Sequence, residues 1–78
     1  MNLVRLGDLP PGKKAKVVEI RGSPEIRMKL LEMGLTTGIE LKVLRNAPLK
    51  DPMEIEIRGY NLSIRRTDAK NVIVEVKE

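Results

Sequence analysis

Short stretches in which apolar and charged residues alternate limit the possible folds of this chain more than any other feature. In residues 39–43, 53–57 and 72–76, a Val, Ile, Leu or Met stands at every second position. Successive side chains of a β-strand point to opposite faces, so this period predicts strands with one buried and one solvated face. The chain is therefore predicted to be mainly β.

Two further strands complete the predicted set. Residues 14–21 begin with the same alternation and change phase at Val18, as expected of a strand that bends or carries a bulge. Residues 62–65 form a strand that returns after residues 59–61, which are typical of a tight hairpin connection. Residues 67–71 are predicted to form a single helical turn before the last strand.

One helix is predicted between Ser23 and Gly34. The hydroxyl of Ser23 can accept a hydrogen bond from a free N–H group of the first turn, and Gly34 suits a left-handed cap at the helix end. Between them, Ile26, Leu30 and Met33 recur at helical spacing and form one apolar stripe. We expect this stripe to face the core.

These elements predict one domain, residues 1–78. A chain of 78 residues is too short for a second core, and an open, flat sheet of five short strands cannot bury its apolar faces. Closure into a barrel removes most of the sheet edges. An oligonucleotide-binding barrel carries its helix between the third and fourth strands, whereas this helix follows the first. The predicted fold is a small SH3-like barrel of about five strands with one α-helix inserted after the first strand.

The composition excludes most side-chain catalysis. The chain has no His and no Cys, which removes imidazole bases, thiolate nucleophiles and the N and S ligands that zinc prefers. Glu54 and Glu56 share one strand face near Asp51, but charges at this period are typical of the solvated side of a strand. We therefore predict no enzyme activity, no cofactor and no metal site.

Residues 7–13 have the glycine and lysine spacing of a phosphate-binding P-loop. Lys14, however, stands where a Ser or Thr is needed to hold magnesium, and Pro10 and Pro11 remove two N–H donors from a loop that must offer such groups to phosphate. A turn is predicted here instead.

A formal net charge of +4 makes a nucleic-acid-binding barrel the alternative function. The basic residues available for such a patch are Lys13, Lys14, Lys16, Arg21, Arg65 and Arg66. Domains that bind single strands normally add aromatic side chains on which bases stack, and Tyr60 is the one aromatic residue of the chain. We therefore expect no nucleic acid as partner and interpret the lysines and arginines as a solvated surface.

The helix also carries apolar residues outside its stripe. At about 100° per residue, Leu31 lies far around the helix from the stripe and Met28 lies almost opposite it. Leu35 follows the helix end, and Pro48 and Leu49 belong to an apolar loop. Contiguous exposed apolar surface usually marks a docking site. Burial of both helix sides in a crevice is the competing interpretation, and the same surface could also join two copies of the chain.

The order and spacing of many residues resemble the ferrous iron transport protein A (FeoA) family. The matching positions are Leu6-x-x-Leu9-x-x-Gly12, Arg27-x-x-Leu30-x-x-Met33-Gly34-x-x-x-Gly38, Ala47-Pro48-Leu49-x-Asp51-Pro52, Leu62-x-Ile64-Arg65 and Ala69. The resemblance spans nearly the whole chain.

This resemblance implies an SH3-like barrel that acts as an accessory of the large membrane ferrous-iron transporter (FeoB) by binding its GTP-binding cytoplasmic region. It implies no catalytic residues, and contact with the membrane only through the transporter. The sequence shows no apolar run near the roughly 20 residues that cross a bilayer and no leader, so we expect a cytoplasmic protein. The expected partner-binding residues are Arg27, Met28, Leu31, Leu35, Pro48 and Leu49, with Arg27 at the rim of the docking surface.

Overall fold

Six strands and two helices make up the structure, a computed structural model that describes residues 2–46 and 51–77, with Asn46 described by its backbone only. In chain order the elements are β1 (Leu3–Arg5), a 3-10 helical turn (Leu6–Asp8), β2 (Lys14–Ile20), α1 (Pro24–Glu32), β3 (Glu40–Asn46), β4 (Met53–Ile57), β5 (Tyr60–Ile64), α2 (Arg66–Ala69) and β6 (Val72–Lys77).

All strands belong to one antiparallel sheet in the order β1-β6-β2-β3-β4-β5. The pairing of β2 with β6 shifts register at Val18, and the pairing of β3 with β4 shifts at Leu44. Such bulges bend a strand and increase its twist, which lets a short sheet curl around a core. The bulge at Val18 confirms the predicted phase change, whereas the bulge at Leu44 was not predicted.

The strand count differs from the sequence prediction. The described residues form six strands rather than about five, and α1 follows the second of them, because the three-residue strand β1 precedes β2. In β1, Leu3 lies opposite Glu75 and Val4 lies opposite Val74, so β1 covers the free edge of β6. Three residues are too few to show an alternating pattern, so β1 could not be predicted from the sequence. The mainly β class is confirmed.

The core is built from aliphatic side chains and one methionine. Its largest fully buried members are Leu6, Val17, Leu30, Leu35, Val43, Met53, Ile55, Ile57, Ile64, Val72 and Val74. In β4 the side chains of Met53, Ile55 and Ile57 are buried, while Glu54 and Glu56 between them are only half-buried. This is the pattern that the alternation predicted.

The beginning of α1 also follows the prediction. Ser23 precedes the helix in extended conformation, and its Oγ accepts a hydrogen bond from the backbone N–H of Ile26 at 3.2 Å. Pro24 occupies the first turn, where a missing N–H costs nothing. Leu30 is fully buried and Ile26 and Met33 are partly buried against the core, so the predicted stripe does face inward.

The end of α1 corrects one expectation about the docking surface. Gly34 has a φ of +101°, and its N–H donates to the carbonyl of Leu31 at 2.9 Å, while the N–H of Leu35 donates to the carbonyl of Leu30 at 3.0 Å. These two bonds form a Schellman motif, in which the residue after the glycine turns back onto the helix. Leu35 therefore packs into the core with 1% of its surface exposed. The prediction that Leu35 is exposed was wrong.

Candidate functional site

Two large apolar side chains on α1 point to solvent. Met28 is 56% exposed and Leu31 is 52% exposed, whereas Leu30 between them is fully buried. Residues three apart lie on the same side of a helix, so Met28 and Leu31 form one apolar patch. The prediction that both face away from the core is confirmed. We call the surface formed by Arg27, Met28 and Leu31 the helix face.

Arg27 adds a positive charge to the helix face. Its side chain is exposed, and the ion pairs found in residues 2–46 and 51–77 do not include it. Its guanidinium can therefore turn toward a carboxylate on another molecule without breaking an ion pair of the described residues. Of the other predicted docking residues, Leu35 is buried, while Pro48 and Leu49 lie outside the described residues.

Two side chains from distant parts of the chain fix the position of α1. Lys29 Nζ lies 2.8 Å from Asp68 Oδ2 in α2, and the hydroxyl of Tyr60 in β5 donates a hydrogen bond to the carbonyl of Met33 at 3.3 Å. Asp68 is 7% exposed, so its carboxylate needs this partner more than the exposed lysine does. A helix held near both its middle and its end presents the helix face in a fixed orientation.

Tyr60 is a residue whose place near α1 the sequence did not reveal. Its side chain is 47% exposed, and its Oη would lie only 2.5 Å from a Cβ built on Gly34. The tyrosine therefore packs against the glycine that ends α1 and adds exposed aromatic surface there. Residue 60 was predicted only as part of a hairpin turn, because a contact across 26 residues leaves no periodic pattern.

Two of the three carboxylates considered as metal ligands, Glu54 and Asp51, lie next to cations. Arg45 Nε donates to Glu54 Oε1 at 2.5 Å, and this bond and the charge of Glu54 raise the pKa of the Arg45 guanidinium above its ordinary value. Asp51 accepts the backbone N–H of Arg66 at 3.0 Å and lies 3.9 Å from Arg65 Nη1. Within the described part of the chain no group of three carboxylates is placed to hold a metal ion.

The segment with P-loop spacing is a turn, as predicted. A 3-10 helical turn ends at Asp8, residues 11 and 12 form a turn, and β2 begins at Lys14. The N–H of Gly12 donates to the carbonyl of Val43 at 2.8 Å. A strand thus stands where a P-loop needs a helix N-terminus to bind phosphate.

Fold and site together define a class of protein: a small, curled β-sheet domain with an exposed apolar patch on its longer helix. Comparison with known sequences identifies the class more closely. The FeoA domain family matches residues 4–76, and the chain belongs to that family, which is involved in ferrous iron transport. The resemblance inferred from the sequence is confirmed.

Three relatives illustrate the similarity. A fusion protein of Fe(2+) transport protein A and the Fe(2+) transporter FeoB from Porphyromonas gingivalis is 40% identical over 73 residues, which cover 94% of this chain. This chain spans only 9% of the length of that relative. A crystal structure of an iron uptake regulatory protein (FeoA), 36% identical, superimposes with a TM-score of 0.89 over 96% of this chain and 99% of the other.

The third relative supports the fold assignment. The crystal structure of FeoA from Stenotrophomonas maltophilia, described as a prokaryotic SH3 domain protein, is 24% identical and has a TM-score of 0.78 over 92% of this chain and 89% of the other. The predicted SH3-like fold is therefore confirmed. No helix in residues 2–46 and 51–77 combines the length and the apolar character needed to cross a membrane.

Proposed function

We propose that this protein is a cytoplasmic accessory of ferrous iron uptake that binds the GTP-binding cytoplasmic region of the transporter FeoB through its helix face. Membership of the FeoA family supports a role in ferrous iron uptake. The relative in which transport protein A and FeoB form one chain supports FeoB as the partner. A fused pair keeps the two parts at high effective concentration, which suits an association that is weak when the parts are separate.

The observation that carries the proposal is the exposure of Met28 and Leu31 on a helix that the core and two side-chain contacts hold in place. Burial of a whole Leu or Met side chain contributes about 1.5–3 kcal/mol. Because each of these residues is only about half exposed, the two together can contribute about 1.5–3 kcal/mol to binding. A preformed surface adds to affinity because no helix has to be ordered on binding.

The rest of the proposed interface supplies charge and further apolar contact. Arg27 is placed to pair with an acidic group at the rim of the contact, where a charge mainly affects orientation and association rate. Pro48 and Leu49 remain part of the proposed surface. We expect micromolar affinity, about 8 kcal/mol of binding free energy for the whole interface, of which these residues supply only a part. A regulatory signal could make or break a contact of this strength.

Isothermal titration calorimetry with the purified cytoplasmic region of FeoB from the same host tests the proposal. Leu31→Asp should weaken binding at least about tenfold, because it removes apolar contact and places a charge in the interface. Leu3→Asp is the matched control, since Leu3 is 50% exposed but lies on β1 rather than α1. Unequal thermal stability of the two variants would be detected by circular dichroism. Equal affinities of native protein and Leu31→Asp would remove the helix face from consideration.

A further inference from the structure

A second surface, on the outer face of the sheet, concentrates positive charge. A groove of about 470 Å³ runs over β2, β3 and β4 and reaches Lys77 at the end of β6. A smaller hollow of about 360 Å³ adjoins it and shares two of its lining residues, Lys14 and Lys77. The charged side chains that line the two are Lys13, Lys14, Lys42, Arg58, Lys77, Glu40 and Glu56, and we call this surface the lysine groove.

The strand register forces three of these lysines together. Lys14 on β2 lies directly opposite Lys77 on β6 and directly opposite Lys42 on β3. Residues that face each other across antiparallel strands have Cβ atoms about 4.5–5.5 Å apart, and like charges in this arrangement destabilise the sheet. A row of three lysines therefore costs folding free energy unless an anion lies among them.

The described residues supply little compensating charge. Lys77 Nζ lies 3.4 Å from Glu40 Oε2, but in the described residues neither Lys14 nor Lys42 has a carboxylate within ion-pair distance, although Lys42 lies opposite Glu56. Five cations and two carboxylates give the lysine groove a net charge of +3, compared with a formal net charge of +4 for the whole chain. Such clustering in a concave surface focuses the field on a bound anion.

We propose that the lysine groove binds the diphosphate or triphosphate group of a small molecule. The ligand must be compact and carry several negative charges, because the uncompensated ammonium groups are adjacent and few. A volume near 470 Å³ is in the range of small-molecule sites. A lysine ammonium binds phosphate as a point charge with three donors, without the planar geometry that arginine imposes. The groove has no aromatic lining residue, so the phosphates and not a nucleobase are recognised.

Thermal unfolding of the full chain with inorganic pyrophosphate tests the proposal, with sodium chloride at matched ionic strength as the reference. Pyrophosphate should raise the melting temperature by about 4 °C or more, because a ligand that binds only the folded state stabilises it. Lys14→Gln should raise the melting temperature without ligand, since it removes repulsion from two neighbours, and should abolish the response to pyrophosphate. Lys70→Gln is the control, because Lys70 is exposed and follows α2, away from the groove.

Three outcomes would overturn the proposal. The first is an equal response to pyrophosphate in native protein and Lys14→Gln, since binding would then occur elsewhere. The second is no difference between pyrophosphate and sodium chloride at matched ionic strength, which would reduce the effect to screening. The third is that the protein sediments with phosphatidylglycerol vesicles while pyrophosphate leaves its melting temperature unchanged. The groove would then recognise a charged lipid surface rather than a free phosphate group. Isothermal titration of Lys42→Gln with pyrophosphate gives an independent measurement and should show at least about tenfold weaker binding.

Discussion

Gly34→Ala should destabilise the protein through two effects that can be separated by experiment. Gly34 has a φ of +101°, a region that residues with a Cβ rarely adopt, and the substitution costs about 1–2 kcal/mol for the backbone alone. The new Cβ would also lie 2.5 Å from the hydroxyl of Tyr60. This hydroxyl is at the end of a flexible side chain and can move away, but Tyr60 then loses its hydrogen bond to the carbonyl of Met33.

The second effect is worth about 0.5–1.5 kcal/mol, the usual net contribution of one hydrogen bond. Gly34→Ala should therefore lower the free energy of unfolding by about 1.5–3.5 kcal/mol in the native background. In a Tyr60→Phe background the hydroxyl is already absent, and the same substitution should cost only the backbone part, about 1–2 kcal/mol. The difference between the two backgrounds is the coupling between Gly34 and Tyr60.

Urea unfolding followed by circular dichroism measures all four proteins of this double-mutant cycle. A cost of Gly34→Ala below about 0.5 kcal/mol in both backgrounds would contradict the left-handed cap. A full cost that does not change between the backgrounds would contradict the contact between Tyr60 and the end of α1. The m-values should agree among the four proteins, since a change would mean that the unfolded states differ.

Further substitutions test the other structural statements. Leu35→Ala should lower the free energy of unfolding by about 2–5 kcal/mol, because Leu35 is buried. Leu31→Ala should change it by less than about 0.5 kcal/mol, because Leu31 is half exposed. Similar urea midpoints for the two variants would contradict the assignment of Leu35 to the core. Asp68→Asn should lower the free energy of unfolding by about 1 kcal/mol in the same assay, because it breaks the ion pair with the exposed Lys29 and leaves a neutral polar group in the buried position. An unchanged urea midpoint would show that this ion pair does not hold α1. Retention of the protein on single-stranded oligonucleotides should be absent at about 0.15 M ionic strength, and salt-dependent retention there would favour the nucleic-acid alternative. If two copies of the chain associate through the helix face, light scattering should show a dimer for native protein and a monomer for Leu31→Asp, whereas a dimer in both would place the contact elsewhere.

Local patterns accounted for most of the fold. The caps of α1 at Ser23 and Gly34 and the phase change at Val18 each depend on residues within a few positions, and all three appear in the structure. Local patterns did not predict the extra strand β1 (Leu3–Arg5), because its stability comes from pairing with β6 at the other end of the chain. The bulge at Leu44 was missed because the apolar alternation through Val43 shows no break before it.

The sequence predicted the exposure of Met28 and Leu31 on α1 but not the burial of Leu35. Met28 and Leu31 could be placed by rotation around the helix, since that angle depends only on residue spacing. Leu35 was misplaced because the Schellman motif reverses the chain after Gly34 and turns the following apolar residue inward; the glycine followed by leucine was the available signal. Contacts such as Lys29 with Asp68 join residues 39 positions apart, and no spacing rule predicts them.

A nuclear magnetic resonance titration shows where the partner binds on the folded protein and thereby tests the proposed contact between the helix face and FeoB. Isotope-labelled protein is titrated with the unlabelled cytoplasmic region of FeoB, and backbone amide shifts are followed residue by residue. If FeoB binds the helix face, the largest amide shift changes should occur in residues 24–34, with Arg27, Met28 and Leu31 among them. Shift changes confined to the strands, with residues 24–34 unaffected at saturation, would contradict binding through the helix face.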